Sequence, residues 1–333
     1  MKKKIRLLAS LLTVMAYVIL LTNSCKKEEV NNSNLPYVQT RCVTNITTTT
    51  AICEGGVVIV KAGTDTIISR GVCWSTNQNP TIADSFISKG TGEGSFIINL
   101  TGLTPNTKYF LRAYASNKSG TVYGYEVVFK TYTGTITDIE GNVYYTVTIG
   151  TQIWMAENLK TTKYRNGDPI PNAIEDSVWW NPYTKAYCDY NNDTNNGKIY
   201  GHLYNWWVVN DSRNIAPTGW HVPSKGEWTI LINYLGGDSL AVSKLMECDC
   251  AQTHWHSMGL AGGTNESGFT ALPGGYRNSL GGFTDLHYVG NWWTSTDNSS
   301  DMAWYINLNW VPTEKAKTIT KKGGASVRCI KDN

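Results

Sequence analysis

Of the thirteen tryptophans in this chain, twelve fall between Trp154 and Trp310, and Trp74 alone precedes them. A large ring gains most of its free energy by leaving water, so rings at that density have to be packed against one another. In the second half they are interleaved with Gly, Asn and Tyr, with little helical periodicity, which predicts a compact unit with much irregular backbone around buried rings. The first half has to build its core from other residues. With 333 residues the chain is long enough for two ordinary domains. Charged residues are 17% and aromatic residues 11%, a balance that favours folding over disorder.

From Tyr37 to about Thr133 the texture is short β-runs divided by Gly, Asn, Pro and Thr: Ala51 to Val60, Ile67 to Ser75, Ser95 to Leu100, Lys108 to Ser116 and Val122 to Lys130. Repeated short strands with turn residues between them predict an all-β sandwich. In the fourth run Tyr109, Leu111, Ala113 and Ala115 share one face, and Phe110, Arg112 and Tyr114 the other, which predicts one buried and one wetted side. The segment Leu103-Thr104-Pro105-Asn106-Thr107-Lys108-Tyr109, followed by Arg112-Ala113-Tyr114-Ala115, resembles the corner and sixth strand of a fibronectin type III module. The resemblance covers residues 37–133 and implies that Tyr109 holds the turn between strands. It implies a spacer role more than a binding one.

The second half, residues 134–333, reads as α+β and loop-rich. It opens on a hairpin turning at Glu140-Gly141-Asn142 into Val143 to Ile149. Ser224 and Glu227 form a capping box for a helix with Trp228, Leu231, Ile232 and Leu235 on one face and Gly236 at its end. Asp238 caps a second helix through Ala241 and Leu245, His202 to Val209 reads as a third, and strands return at Met302 to Leu308 and Ser326 to Ile330. The phrases Ile149-Gly150-Thr151-Gln152-Ile153-Trp154-Met155-Ala156-Glu157-Asn158-Leu159, Tyr200-Gly201-His202-Leu203-Tyr204-Asn205-Trp206, Pro217-Thr218-Gly219-Trp220-His221-Val222-Pro223, Trp292-Trp293-Thr294-Ser295-Thr296 and Ser326-Val327-Arg328-Cys329-Ile330 occur in that order. Together they resemble the Fibrobacter succinogenes major paralogous domain, a family of secreted and lipid-anchored bacterial proteins, over residues 136–332. That family in turn looks like the C-type-lectin fold, and it implies no settled activity.

The amino terminus reads as an export signal. Lys2, Lys3, Lys4 and Arg6 precede an apolar run from Leu7 to Leu21 and then Thr22-Asn23-Ser24-Cys25. That run is short of the roughly 20 residues needed to span a bilayer. Residues 1–24 therefore read as a lipoprotein signal peptide, Cys25 as the lipidated first residue and 25–36 as a tether. Lys26-Lys27-Glu28-Glu29 resembles the charged tag that sends Bacteroidetes lipoproteins to the outer face of the outer membrane. Without the four leader cations the net charge passes from +3 to −1, and a near-neutral body with no basic stripe excludes nucleic acid as a natural partner.

Export permits disulfides, and seven cysteines follow Cys25: Cys42, Cys53, Cys73, Cys188, Cys248, Cys250 and Cys329. An odd number leaves at least one without an intrachain partner, and spacing does not assign pairs, although Cys248 and Cys250 sit too close to join each other. Cys248-x-Cys250 with His254-x-His256 has a poor zinc spacing. Asp189 to Gly197 has alternating oxygen side chains, but Thr194 and Tyr200 stand where a calcium loop needs Gly and Glu, so an Asx-rich turn is expected. No hydrolase elbow, zinc-protease helix or phosphate loop occurs, and Gly90-x-Gly92-x-Gly94 precedes a strand as a turn. His202, His221 and His287 read as structural hydrogen-bonders, and Trp292, Trp293 and Trp304 as core. No catalytic residue, metal or cofactor is expected. Tyr276, Arg277, Asp285, Tyr288, Asn307 and Trp310, set among Gly, Asn and Asp, are the expected ligand contacts, because aromatic faces beside amides and carboxylates suit sugars. The expected function is surface recognition or adhesion, with a glycan or an envelope or host protein as partner. The alternatives are a structural envelope subunit and an enzyme of the formylglycine-generating fold group.

Overall fold

The computed structural model describes residues 34–58, 65–181, 184–248, 254–256, 263–311 and 315–333. The leader, Cys25 and Cys250 lie outside the described residues. The first eight strands are β1 (Tyr37–Thr44), β2 (Ala51–Val58), β3 (Ser69–Ser75), β4 (Ser85–Ser88), β5 (Gly94–Leu100), β6 (Lys108–Asn117), β7 (Gly120–Tyr123) and β8 (Val127–Lys130). They form two sheets, β1-β2-β5 and β4-β3-β6-β7, with β8 also on β6. Val38, Cys53, Val57, Ile98 and Leu100 of one sheet and Val72, Leu111, Ala113, Ala115 and Phe129 of the other belong to one buried apolar cluster, which makes a sandwich. The corner tyrosine is present: the Thr104 amide donates to Tyr109 Oη at 2.9 Å, and the Tyr109 ring stacks on Phe129.

Two expectations change here. The run Val122 to Lys130 is not one strand but two, broken at 124–126, where Glu126 turns away to accept the Asn79 amide. Phe110 and Tyr114, expected to be wet, are buried like the face opposite. The reason is position: β6 is an interior strand, and Tyr114 is covered by the edge of Phe86 and hydrogen-bonded to Ser69.

The remaining strands are β9 (Gly134–Thr137), β10 (Val143–Ile149), β11 (Gln152–Met155), β12 (Tyr187–Cys188), β13 (Leu203–Asn205), β14 (Trp220–His221), β15 (Gly274–Arg277), β16 (Phe283–Leu286), β17 (Gly290–Asp297), β18 (Met302–Leu308), β19 (Ala316–Thr320), β20 (Gly324–Ala325) and β21 (Ile330–Lys331). They form a sheet β14-β21-β11-β10-β9 and a larger one, β12-β13-β20-β15-β17-β18-β19, with β16 beside β15. Among the described residues five α-helices accompany them: α1 (Asp176–Trp180), α2 (Thr194–Tyr200), α3 (Trp206–Val209), α4 (Lys225–Tyr234) and α5 (Asp238–Leu245). The hairpin forms as its residues dictate, with Asp138 accepting the amides of Glu140 and Asn142 across the turn. The α4 capping box is complete in both directions. Gly237 rather than Asp238 caps α5. His202 to Val209 holds β13 before the short α3, because Asn205 pairs in the sheet and then caps the helix by accepting the Val208 amide. Ser326 to Ile330 is likewise interrupted, with β20 and β21 on either side of it.

The two halves share one continuous core. Tyr132 stacks on Tyr145 at 4.8 Å, and its hydroxyl meets Thr270 Oγ1 at 3.1 Å. A disulfide joins Cys42 of β1 to Cys248 just after α5, across 206 residues of chain. No described helix is long and apolar enough to cross a membrane.

Candidate functional site

Three tryptophan pairs show how local geometry sorts rings between core and surface. Adjacent residues on a helix point about 100° apart. In α1, Trp179 is buried and Trp180 is 49% exposed; in α3, Trp206 is buried and Trp207 is only partly so. In β17 the pair Trp292 and Trp293 point to opposite faces, and both are buried because the strand is covered on both sides. The two helical pairs therefore each turn one ring outward.

Trp180 and Trp207 line the same cavity of about 500 Å³. Its rim is the β15–β16 turn at Ser279 and Leu280, Asp301 of the β17–β18 turn, and Thr320 to Lys322 at the end of β19. Lys321 forms the floor: its Nζ lies 4.5 Å from the Trp206 ring centre and 5.3 Å from that of Trp207, and pairs with Asp297 at 2.8 Å. The Lys321 hydrogen bond holds the Asp297 carboxyl below its ordinary range. The cation is thus neutralised, and the cleft presents ring surface with little net charge. The Trp207 indole N–H is enclosed and has no hydrogen-bond partner among the described residues. Trp179, Trp228 and Trp310 share that lack, but of the four only Trp207 lines this cavity.

Arg277, expected to touch a ligand, is instead fully enclosed. It donates to the Ala173 carbonyl at 2.6 Å, the Gly281 carbonyl at 3.0 Å and Asp176 Oδ1 at 2.6 Å, with its guanidinium over the Trp179 and Phe283 rings. It ties the β15–β16 turn to α1, the two segments that bring Leu280 and Trp180 to the cavity. Gly281 allows the close approach, since a Cβ there would meet Asp176 at 2.2 Å.

Of the other expected contacts, the Asp285 carbonyl accepts the Tyr288 amide at 3.1 Å. Tyr276 lies across from Thr284 on the β15–β16 ladder, beside Asp285. Tyr288 packs against His256 and is 48% exposed. Asn307 is buried, donating to Asn291 Oδ1 at 2.7 Å and accepting from Asn309, so its amide is already committed. Trp310 sits edge-on to Trp255. The sequence signal that leads to the cavity is the doubled tryptophan in a helical setting, Trp179-Trp180 and Trp206-Trp207, which residue-type arguments about Gly and Asn neighbours pass over.

The remaining chemistry is structural in form. His202 pairs with Asp189 at 2.7 Å, His221 lies between Asp332 and Glu227, and the His287 ring nitrogen meets the His254 carbonyl at 2.9 Å. The Asp189 segment folds into a 3-10 turn and then α2, with Asp193 capping the Asn195 amide. No described cluster of His, Cys, Asp or Glu has the geometry to hold a metal. Cys53, Cys73, Cys188 and Cys329 are buried thiols. Burial pushes Cys53 and Cys188 up to about 12 and Cys73 to about 11, far from the thiolate a nucleophile needs. Cys248 is consumed by its bond to Cys42, and Cys250 lies outside the described residues.

Residues 147–331 match the model of the Fibrobacter succinogenes major domain. No curated protein matches the chain. Among solved structures, the sensor domain of an anti-sigma factor from Pseudobacteroides cellulosolvens is 23% identical, over 29% of this chain and 93% of its own, with a TM-score of 0.22. A human fibronectin type III domain is 17% identical over 30% and 73%, and a second human one is 19% identical over 32% and 91%, both with TM-scores of 0.22.

Proposed function

Because this chain belongs to the Fibrobacter succinogenes major domain family, matched over residues 147–331, we propose that it is a lipid-anchored envelope protein displayed at the bacterial surface, whose C-terminal unit recognises neutral sugar rings without catalysis. Cys25 carries the lipid at the outer membrane, residues 37–133 act as a fibronectin-type spacer, and residues 134–333 form a lectin-like recognition domain. The observation that carries this reading is the cleft between Trp180 and Trp207. Two outward rings line a cavity of about 500 Å³ whose Lys321 is paired with Asp297. Aromatic faces take the C–H side of a sugar ring, while Ser279, Asp301 and Thr320 at the rim offer oxygens to its hydroxyls.

The reading is tested on cells displaying the protein, using the neutral oligosaccharides selected by the purified chain on a glycan array. Binding should disappear when protease is added to intact cells, and Trp180→Ala should weaken it by about tenfold or more at unchanged protein level. A chain digested only after lysis, or one for which Trp180→Ala leaves binding untouched, sinks the proposal. An empty array together with capture of an envelope subunit would favour the structural-component reading instead.

A further inference from the structure

A second cavity, of about 380 Å³, lies where the sandwich meets the C-terminal unit. Three lysines reach it from separate elements: Lys108 opens β6, Lys130 closes β8 and Lys244 lies in α5. Among the described lining residues a single carboxylate answers them. Glu266 stands 3.7 Å from Lys108 and 3.2 Å from Lys244. Lys130 is half-buried, and its ammonium donates to the Thr148 carbonyl, a neutral partner. Burial lowers its affinity for the proton, so the charge is held there at a cost. Tyr234, 65% exposed, also lines the cavity. Its ring lies flat against Gly150, where a Cβ would come within 3.0 Å of the ring, so the glycine is what allows the aromatic wall to sit at the cavity.

We propose that this interdomain cavity binds an acidic saccharide, with a uronic-acid carboxylate against Lys130 and the sugar face against Tyr234. The cation excess selects an anion, and the exposed ring beside it selects one with an apolar face. Inorganic sulfate would satisfy the lysines but leave Tyr234 unused. A ligand here would touch both halves of the chain at once, and the Cys42–Cys248 bond crosses the same junction. The site is separate from the Trp180 cleft, so it stands or falls by itself.

The test is isothermal titration of the intact mature chain with an oligogalacturonate, its neutral methyl ester and sodium sulfate. The acid form should bind, weaken with added salt, and lose about tenfold or more in affinity as the methyl ester. Lys130→Met and Tyr234→Ala should each cause a loss of similar size, while Trp180→Ala should cause none. Tyr234 is exposed, and Lys244→Gln offers a third variant at a partly exposed position if Lys130→Met unfolds the chain. Equal binding of ester and acid, or a wild-type affinity in Tyr234→Ala, overturns the proposal. Sulfate competing as well as the oligosaccharide would reduce the cavity to a simple anion site and overturn the saccharide assignment.

Discussion

The two halves of this molecule solve the same problem with different materials. In the sandwich the strands satisfy one another's amides and carbonyls, so the interior can be Val, Ile, Leu and Ala with a few rings. Arg70 and Arg112 are only partly buried in it. In the C-terminal unit the sheets are short and much of the buried backbone has no ladder partner. There the core holds Trp154, Trp179, Trp206, Trp228, Trp292 and Trp293 together with two fully buried arginines, Arg277 and Arg328. Arg328 donates to the carbonyls of Phe269 and Thr270 and to Asn158 Oδ1, which also accepts the Trp292 indole N–H at 2.8 Å. The guanidinium groups do for irregular backbone what strand pairing does for regular backbone. Their cost is visible, since burial pulls Arg328 down to about 9.

The largest expected effect tests that equivalence. Arg328→Met should fill the volume yet orphan the Phe269 and Thr270 carbonyls, each worth about 1–3 kcal/mol when unmet, while Asn158 Oδ1 keeps its Trp292 donor, for a loss of roughly 2–5 kcal/mol. Urea unfolding measures it. Arg112→Met in the sandwich, where Nε donates to the Gly124 carbonyl near the surface, should cost less than about 1 kcal/mol. A buried charge replaced by a hydrophobe is sometimes stabilising. If Arg328→Met raises the midpoint, the arginine is a burden on the core and not its substitute for strand pairing.

A smaller effect belongs to the bond between the halves. Replacing Cys42 and Cys248 together by Ala removes a cross-link closing 206 residues and should cost about 2–4 kcal/mol, lowering the unfolding midpoint of the oxidised protein. The wild type in a thiol reductant should reach the same midpoint as the variant. Identical midpoints with and without reductant would mean that the shared core alone fastens the two halves.

The same contrast decides what the sequence discloses. The extended run of β6, the corner Tyr109 and the capping box at Ser224 are local patterns whose physics fits within a few residues, and each is found where the pattern puts it. Phe110 and Tyr114 mislead because burial on the second face of β6 depends on which strands flank it, which no local pattern records. Arg277 misleads for a related reason. Gly and Asn neighbours mark a turn, and a turn exposes its side chains unless a distant element, here α1, covers it. The Cys42–Cys248 pair and the Trp180–Trp207 cleft are long-range facts of the same kind. The doubled tryptophans come nearest to announcing the cleft, because their consequence follows from helical geometry once the helices are known.

The finest comparison deletes one oxygen in each half. Tyr109 and Tyr144 are both corner residues with a phenol oxygen that accepts a backbone amide, from Thr104 at 2.9 Å and from Lys160 at 2.9 Å. Tyr144 also donates to Asp138 Oδ2 at 2.7 Å, and that carboxylate organises the whole β9–β10 turn. Burial and the neighbouring Asp138 push the Tyr144 phenol far above its ordinary range, as expected of a hydroxyl that must stay protonated to donate. Tyr109→Phe keeps the ring stack on Phe129 and leaves the Thr104 amide in a turn near solvent, where water replaces the lost acceptor. Its cost should be about 0.5–1.5 kcal/mol. Tyr144→Phe removes a charge-assisted bond in a buried site and should cost about 1.5–3 kcal/mol. The discriminating quantity is the difference between the two, read from parallel urea titrations. A difference near zero would mean that the C-terminal turn is held by Asp138 and its amides alone, and that regular and irregular regions place the same weight on a single buried hydroxyl.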